Sequence, residues 1–253
     1  MAGIERTAGW VAGLWPKRPV LGSTVVGVMD RDSWTARTDN IVVVDGRRRR
    51  LVWIPRDLWC EVVGDRVNEA YGRGGPELLH AAMRELGMPV ESSVVLLRSA
   101  VERAVSDLCI TIPVERSRRY WYPLEPTSRL EDGSKLVVFE PPQETLAGER
   151  IHQWIGARKS AASQPPRLPD LDRIERQQIL VRRLLQTGFD FSRTLDDPAR
   201  FAASDASALA LLAAVRPDWA LRTLDRVEPK TIDGKQVLRR RRLLGLGLAR
   251  GAR

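Results

Sequence analysis

Residues 35–57 read TARTDNIVVVDGRRRRLVWIPRD, and this stretch sets the architecture. Ile41–Val44 and Leu51–Ile54 are nearly continuous apolar runs rich in β-branched residues, which predicts strands covered on both faces. Asp45-Gly46 between them is a strong turn signal, so the two runs read as a hairpin. Upstream, Thr24–Val28 repeats the pattern and supplies a third central strand. Charge sits at the ends of these runs. Asp30 follows the first strand, Arg37 and Asp39 precede the second, and Arg56 and Asp57 follow the third.

Further along, GGPELLHAAMRELGMPV (74–90) places Pro76 at a helix start, apolar residues on one face and Gly87 at the stop. A strand at Ser93–Leu97, a helix from Ser99 to about Leu108 and a strand at Cys109–Pro113 continue an α/β alternation. Residues 114–150 are rich in Pro, Arg and aromatics and read as extended loops with a small subsidiary sheet, Lys135–Phe139 being the one convincing strand. A helix at Glu149–Ala157 precedes a Pro- and Ser-rich loop (160–170), and DLDRIERQQILVRRLLQTG (170–188) forms an amphipathic helix. Beyond residue 190 the text predicts helices at Ser204–Val215 and Trp219–Val227, a hairpin at DGKQVL and a basic tail, RRRRLLGLGLARGAR. The organisation expected is an α/β domain over 20–190 and a helical extension over 191–253 packed on it.

Composition bounds the chemistry. With 43% hydrophobic and 29% charged residues, the 253-residue chain reads as globular. A net charge of +9 points to a negatively charged partner: nucleic acid, an anionic membrane surface or a phosphorylated molecule. Cys60 and Cys109 are too few for a disulfide framework and read as buried inert thiols. His80 and His152 stand alone, without the spacing of a zinc site. The N-terminal apolar patch, broken by Gly and followed by Pro16 and Lys17, falls short of the roughly 20 residues of a membrane-spanning helix. An extracytoplasmic and a cytoplasmic setting therefore both stay open.

Strand-end loops of an α/β sheet gather at one edge, so the charged residues flanking the apolar runs are candidates to converge there. Arginines aimed at one spot repel unless an anion lies between them, and a phosphate or diphosphate suits their forked donors. Carboxylates in the same place call for a cation, most simply Mg²⁺. The chemistry suggested is phosphoryl or glycosyl-phosphoryl transfer, in which positioning and charge neutralisation carry the catalysis. The competing reading is that each Arg/Asp pair is a surface ion pair of small energetic weight.

RTDNIVVV (37–44), LVWIPRD (51–57), RVNEAYGRGGPELL (66–79) and DRIERQQ (172–178) together resemble the signature blocks of the LytR-CpsA-Psr (LCP) proteins, cell-wall ligases of Gram-positive bacteria. The resemblance runs from about Val25 to Leu185. It implies a three-layer α/β/α fold with a central mixed sheet, a small subsidiary sheet and a cavity for a polyprenyl chain. It also implies Mg²⁺-dependent transfer of a glycosyl phosphate from a polyprenyl-diphosphate donor to an acceptor hydroxyl, such as a peptidoglycan sugar. Carried over by motif, Asp39 and Asp30 would hold the metal, Asp30 alternatively activating the acceptor. Arg37, Arg56, Arg158, Arg173 and Gln177 would bind the diphosphate, with Asp57 orienting its loop and Arg176 structural.

Where the family pattern reads DGExALxYVRxR, this chain has AGERIHQWIGARKS (147–160), so Gly156 replaces one arginine while Arg158 keeps the other. The usual Gly-Gly-Val turn is replaced by Ser106-Asp107-Leu108. These departures favour, as alternatives, a soluble diphosphate or nucleotide-sugar donor, or pyrophosphate hydrolysis. A non-catalytic anion or nucleic-acid binder is the reading from another class, nucleic acid being the less favoured partner. The cluster RRYWYP (118–123) reads as aromatic anchoring of a loop or a sugar- or lipid-contacting surface. His152 has only the generic capacity of a histidine to act as a base, and GRGGP reads as a turn.

Overall fold

The computed structural model describes residues 22–124, 130–161, 169–189, 199–202, 205–225 and 227–240. The basic tail from 241 and residues 162–168 of the Pro/Ser-rich loop lie outside the described residues. The three predicted strands are β1 (Ser23–Met29), β2 (Thr38–Asp45) and β3 (Arg50–Trp53). They are followed by one short antiparallel ladder, β4 (Trp59–Cys60) with β5 (Asp65–Arg66), and by helix α1 (Ala70–Glu85). Next come β6 (Ser92–Leu96), α2 (Arg98–Ala104), β7 (Cys109–Pro113), β8 (Arg118–Pro123), β9 (Ser134–Phe139) and β10 (Gln143–Ala147). The chain continues through α3 (Glu149–Gly156), β11 (Lys159–Ser160), α4 (Pro169–Gln186), β12 (Ala199–Ala202) and α5 (Asp205–Ala213). It ends in β13 (Ala220–Thr223), β14 (Val227–Ile232) and β15 (Lys235–Arg240).

The central sheet has the order β12-β6-β1-β2-β3-β13, with β1 parallel to β6, β3 parallel to β13 and the other pairs antiparallel. Strand alternation sorts its side chains into two apolar layers. Val25, Ile41, Val43, Val52 and Val95 pack against Leu79, Ala82 and Met83 of α1. Val44, Leu51 and Trp53 face Ile174 of α4 and Leu211 of α5 on the other side. This is the expected three-layer arrangement. A third core joins β7–β10, Tyr120 and Tyr122 of β8, Phe139, Trp154 of α3 and Leu180 and Leu184 of α4.

Several expectations need correction. The helix expected from Pro76 begins six residues earlier, breaks at Gly74 and Gly75, where Gly75 has φ +61°, and resumes at Pro76. Gly72 is obligatory in that extra turn, because a Cβ there would lie 2.5 Å from the Ala36 carbonyl oxygen. The segment Arg118–Pro123 is a strand, pairing with β9 and β11, instead of a loop. β7 leaves the central sheet and pairs with β10. The helix expected at Trp219–Val227 is β13, and the C-terminal region supplies both edge strands of the central sheet, so it is integral to the domain and not a helical extension. Cys60 is buried as expected, its thiol pushed up to about 12 by burial and by the Glu85 carboxylate. Cys109 is exposed, because it begins β7 on a surface ladder.

Candidate functional site

Topology explains why charges distant in sequence meet. β1, β3 and β6 end at the same sheet edge where antiparallel β2 begins. Asp30, Arg56 and Arg98, which follow those strands, and Arg37 and Asp39 at the start of β2 therefore line one cleft of about 940 Å³. Arg158 after α3 and Asp170 and Arg173 at the start of α4 complete its polar floor.

Asp39 is the hub. One carboxylate oxygen accepts Nη1 of Arg56, and the other accepts Nη1 of Arg173 at 2.8 Å. Arg173, only 2% exposed, also donates to the Asp39 carbonyl at 3.1 Å and to Asp170 at 2.8 Å. Asp170 in turn accepts the backbone N–H of Arg56 at 3.2 Å, tying the Pro55-Arg56-Asp57 turn to α4. Burial alone would raise the Asp39 pKa, but the guanidiniums of Arg173, Arg56 and Arg158 outweigh it and hold the carboxyl below its usual range. Burial opposes the charge of Arg173, yet Asp39 and Asp170 raise its pKa.

Arg158 differs. Its side chain opens onto the cleft, and among the described residues its guanidinium has no hydrogen bond or ion pair. Crowding by the cleft walls, then Arg56 and Arg173, push its pKa down, only partly offset by Asp39 and Asp57. Three guanidiniums thus face one shared carboxylate, an arrangement that an anion would relieve. Arg37 reaches the rim, where it pairs with Glu69 at 2.5 Å and stays half exposed. Asp30 keeps a buried Oδ1 without a hydrogen-bond partner, 3.6 Å from Nε of Arg31. Asp57 pairs with Arg66 at 3.5 Å, and its carbonyl accepts the Leu238 N–H at 2.9 Å, consistent with a loop-orienting role.

Gln177 does not join the cleft. Its amide donates to the Ile155 carbonyl at 3.1 Å, while Arg176, fully buried, donates to the carbonyls of Trp154 and Ala157. Together they satisfy the terminal carbonyls of α3, which a helix leaves unpaired, and so fix the turn that presents Arg158. The motif match that put Gln177 beside Arg173 at the diphosphate is therefore not met in the geometry: Arg173 reaches the cleft, whereas Gln177 is taken up by α3. At Gly156 a Cβ would meet only Tyr122, at 4.0 Å, so the missing arginine leaves open space in the cleft.

Sequence reasoning missed Arg98, Glu102 and the C-terminal hairpin residues Gln236, Val237 and Leu238, all of which line the cleft. Arg98 follows β6 as Arg56 follows β3, so the strand-end rule applied there would have found it. It pairs with Glu102 at 2.6 Å. His152 lines the same wall, and burial followed by Arg98 lowers its pKa against the opposing pull of Glu102 and Glu149, leaving it neutral near pH 7.

The fold and site define an α/β/α protein with an arginine-lined cleft at the edge of a mixed central sheet. The chain belongs to the LytR_cpsA_psr family, whose model matches residues 20–202. It is 24% identical over 128 residues to the regulatory protein MsrR of Staphylococcus aureus, covering 46% of this chain and 39% of that protein, so it spans well under half of that curated relative. Similar solved structures include TagT bound to LI-WTA, at 20% identity and a TM-score of 0.59 over 88% of this chain and 86% of that one. Another is Bacillus subtilis TagV, at 14% identity and a TM-score of 0.57 over 87% and 91%.

Proposed function

We propose that the protein is a cell-wall glycopolymer transferase that moves a glycosyl phosphate from a polyprenyl-diphosphate donor to an acceptor hydroxyl. The observation carrying this is the cluster of Arg56, Arg158 and Arg173 around one carboxylate in a cleft with apolar flanks from Val28, Val101 and Ile155. Arg158 is the ready contact for an incoming diphosphate, and Arg56 and Arg173 can turn donors from Asp39 towards it. In the reaction the acceptor oxygen bonds to the phosphorus that carries the glycan, and the bond from that phosphorus to the bridging oxygen breaks. The leaving group is polyprenyl monophosphate, and one proton is lost from the acceptor. The arginines stabilise the charge that builds on the bridging and non-bridging oxygens.

The donor set is compatible with a divalent cation. Asp30 offers a buried, unpartnered oxygen, and Asp39 a second carboxylate shared with the arginines. No group of three or more His, Cys, Asp or Glu gathers among the described residues, which suits Mg²⁺ held by one or two acids, with waters and substrate oxygens filling the rest. When bound, it would neutralise diphosphate charge. The polar wall of Arg98, Glu102 and His152 favours a second reading, a soluble diphosphate donor.

The test is product analysis with a lipid-linked glycan donor, a peptidoglycan-oligosaccharide acceptor and Mg²⁺. The proposal expects a glycan-phosphate-acceptor product, lost in Arg56→Ala and Arg158→Ala. Release of free glycan phosphate alone would assign hydrolysis instead. Turnover only of a nucleotide-sugar would assign the soluble donor.

A further inference from the structure

The outer face of the sheet β11-β8-β9 carries side chains that no core uses. β8 alternates, with Arg118, Tyr120 and Tyr122 directed inward and Arg119 and Trp121 outward. Trp121 lies directly opposite Leu136 on β9 and Lys159 on β11, so the three share one face. Trp121 is 38% exposed, Leu136 47% and Leu124, just past the end of β8, 50%. Apart from Val62, these are the large apolar side chains left exposed among the described residues. Single exposed apolar residues are ordinary, whereas a tryptophan and two leucines gathered at one end of a sheet mark a contact surface.

The setting identifies the partner. Arg119 and Lys159 flank the patch, and neither forms an ion pair among the described residues. Glu149 nearby is neutralised by Lys135 at 2.8 Å. Trp121, Pro123 and Lys159 also line the cleft, so the patch continues into its mouth. Tryptophan suits the level of lipid headgroups, leucines suit the acyl boundary, and unpaired cations suit anionic phosphates. Among the described residues no helix is long and apolar enough to cross a membrane.

We propose that this face docks the protein on an anionic phospholipid bilayer, with the cleft mouth held at headgroup level. Its purpose rests on the lipid-linked donor of the proposed function, because a polyprenyl diphosphate presented there could enter the cleft without leaving the membrane. Its test does not rest on that reading.

Full-chain protein is sedimented with vesicles of phosphatidylcholine and phosphatidylglycerol in equal parts, and with phosphatidylcholine alone. The wild type is expected to bind the anionic vesicles preferentially. Leu124→Ser/Leu136→Ser should weaken that binding about tenfold through lost apolar burial, and Arg119→Glu should weaken it on anionic vesicles only. Both variants should keep the wild-type melting temperature and pyrophosphate affinity. Wild-type protein that ignores anionic vesicles, or a leucine variant that binds them unchanged, overturns the proposal. So does a wild-type dimer that the leucine variant dissolves, since the face would then be covered by a second copy. Loss of vesicle binding with transfer from a short-chain soluble donor intact locates a failure in docking and not in the chemistry.

Discussion

Asp39→Asn separates the two jobs of the central carboxylate. In the absence of ligand, Asp39 is the anion that holds Arg56 and Arg173 together. The amide leaves Arg173, 2% exposed, with Asp170 as its remaining acid, and leaves Arg56, 14% exposed, without a charged partner on that side. Breaking a fully buried ion pair costs about 3–5 kcal/mol, and Asp39 retains some solvent contact, so about 1–3 kcal/mol is expected. At roughly 2–4 °C per kcal/mol for a protein of this size, the melting temperature should fall by about 2–12 °C. Pyrophosphate then takes the place of the lost carboxylate. Its affinity without added metal should rise about tenfold, 1.4 kcal/mol, because no internal anion must be displaced. Excess ligand at about 100 times its Kd adds about 2.7 kcal/mol and should erase most of the deficit. Glycan transfer should nonetheless be lost. Thermal scans and calorimetric titration with pyrophosphate read all of this. An Asp39→Asn protein as stable as wild type, with unchanged pyrophosphate affinity, would refute the internal-anion account.

Arg176→Met removes the donors on the Trp154 and Ala157 carbonyls; urea denaturation should show a loss of about 3 kcal/mol, with weaker pyrophosphate binding as the Arg158 turn loosens. Gly156→Arg enters open space beside Tyr122, so stability should stay within about 0.5 kcal/mol while pyrophosphate affinity rises, as measured by titration. Burial opposes ionisation of Asp65, but hydrogen bonds from Lys235, the Arg66 backbone and Arg73 hold its pKa at about 2, against an ordinary 3.8. A depressed folded pKa stabilises above the unfolded value and is lost as pH falls through the folded one. The contribution, about 2 kcal/mol, is therefore present at neutral pH and fades between pH 4 and 2, and Asp65→Asn should flatten that part of the stability profile.

The central sheet was legible because β-branched runs and an Asp-Gly turn are local signals, and the strand-end rule then brought Asp30, Asp39 and Arg56 to one edge. What escaped depended on distant partners. β8 alternates as a strand should, yet one of its inward residues is Arg118, 4% exposed, which looks polar until Asp172 and Glu175 of α4 neutralise it at 2.8 Å. β13 hides its period of two because the strand is four residues long and only Leu221 in it is buried, with the buried Trp219 just before it. Gln177 was carried to the cleft by its place in the RIERQQ motif, and a motif match does not say which neighbour covers a side chain, here the Ile155 carbonyl of α3.

The same dependence explains why the site cannot be understood from the family-matched residues alone. The match ends at 202, but the turn bearing Arg56 is braced from beyond it. Leu238 donates to the Asp57 carbonyl and bridges Leu58, Lys235 holds Asp65 at 2.7 Å, and Arg66 donates to the Gln236 carbonyl at 2.7 Å. Val237 and Leu238 are buried in making these contacts, so the hairpin gains apolar burial as well as polar bonds. If Arg56 exchanges Asp39 for a diphosphate, as proposed, its backbone has to be fixed, or the exchange would be spent on loop entropy. The hairpin supplies that fixity from one side and Asp170 of α4 from the other. The arginine-lined cleft of this chain is therefore a product of its C-terminal strands as much as of its signature motifs.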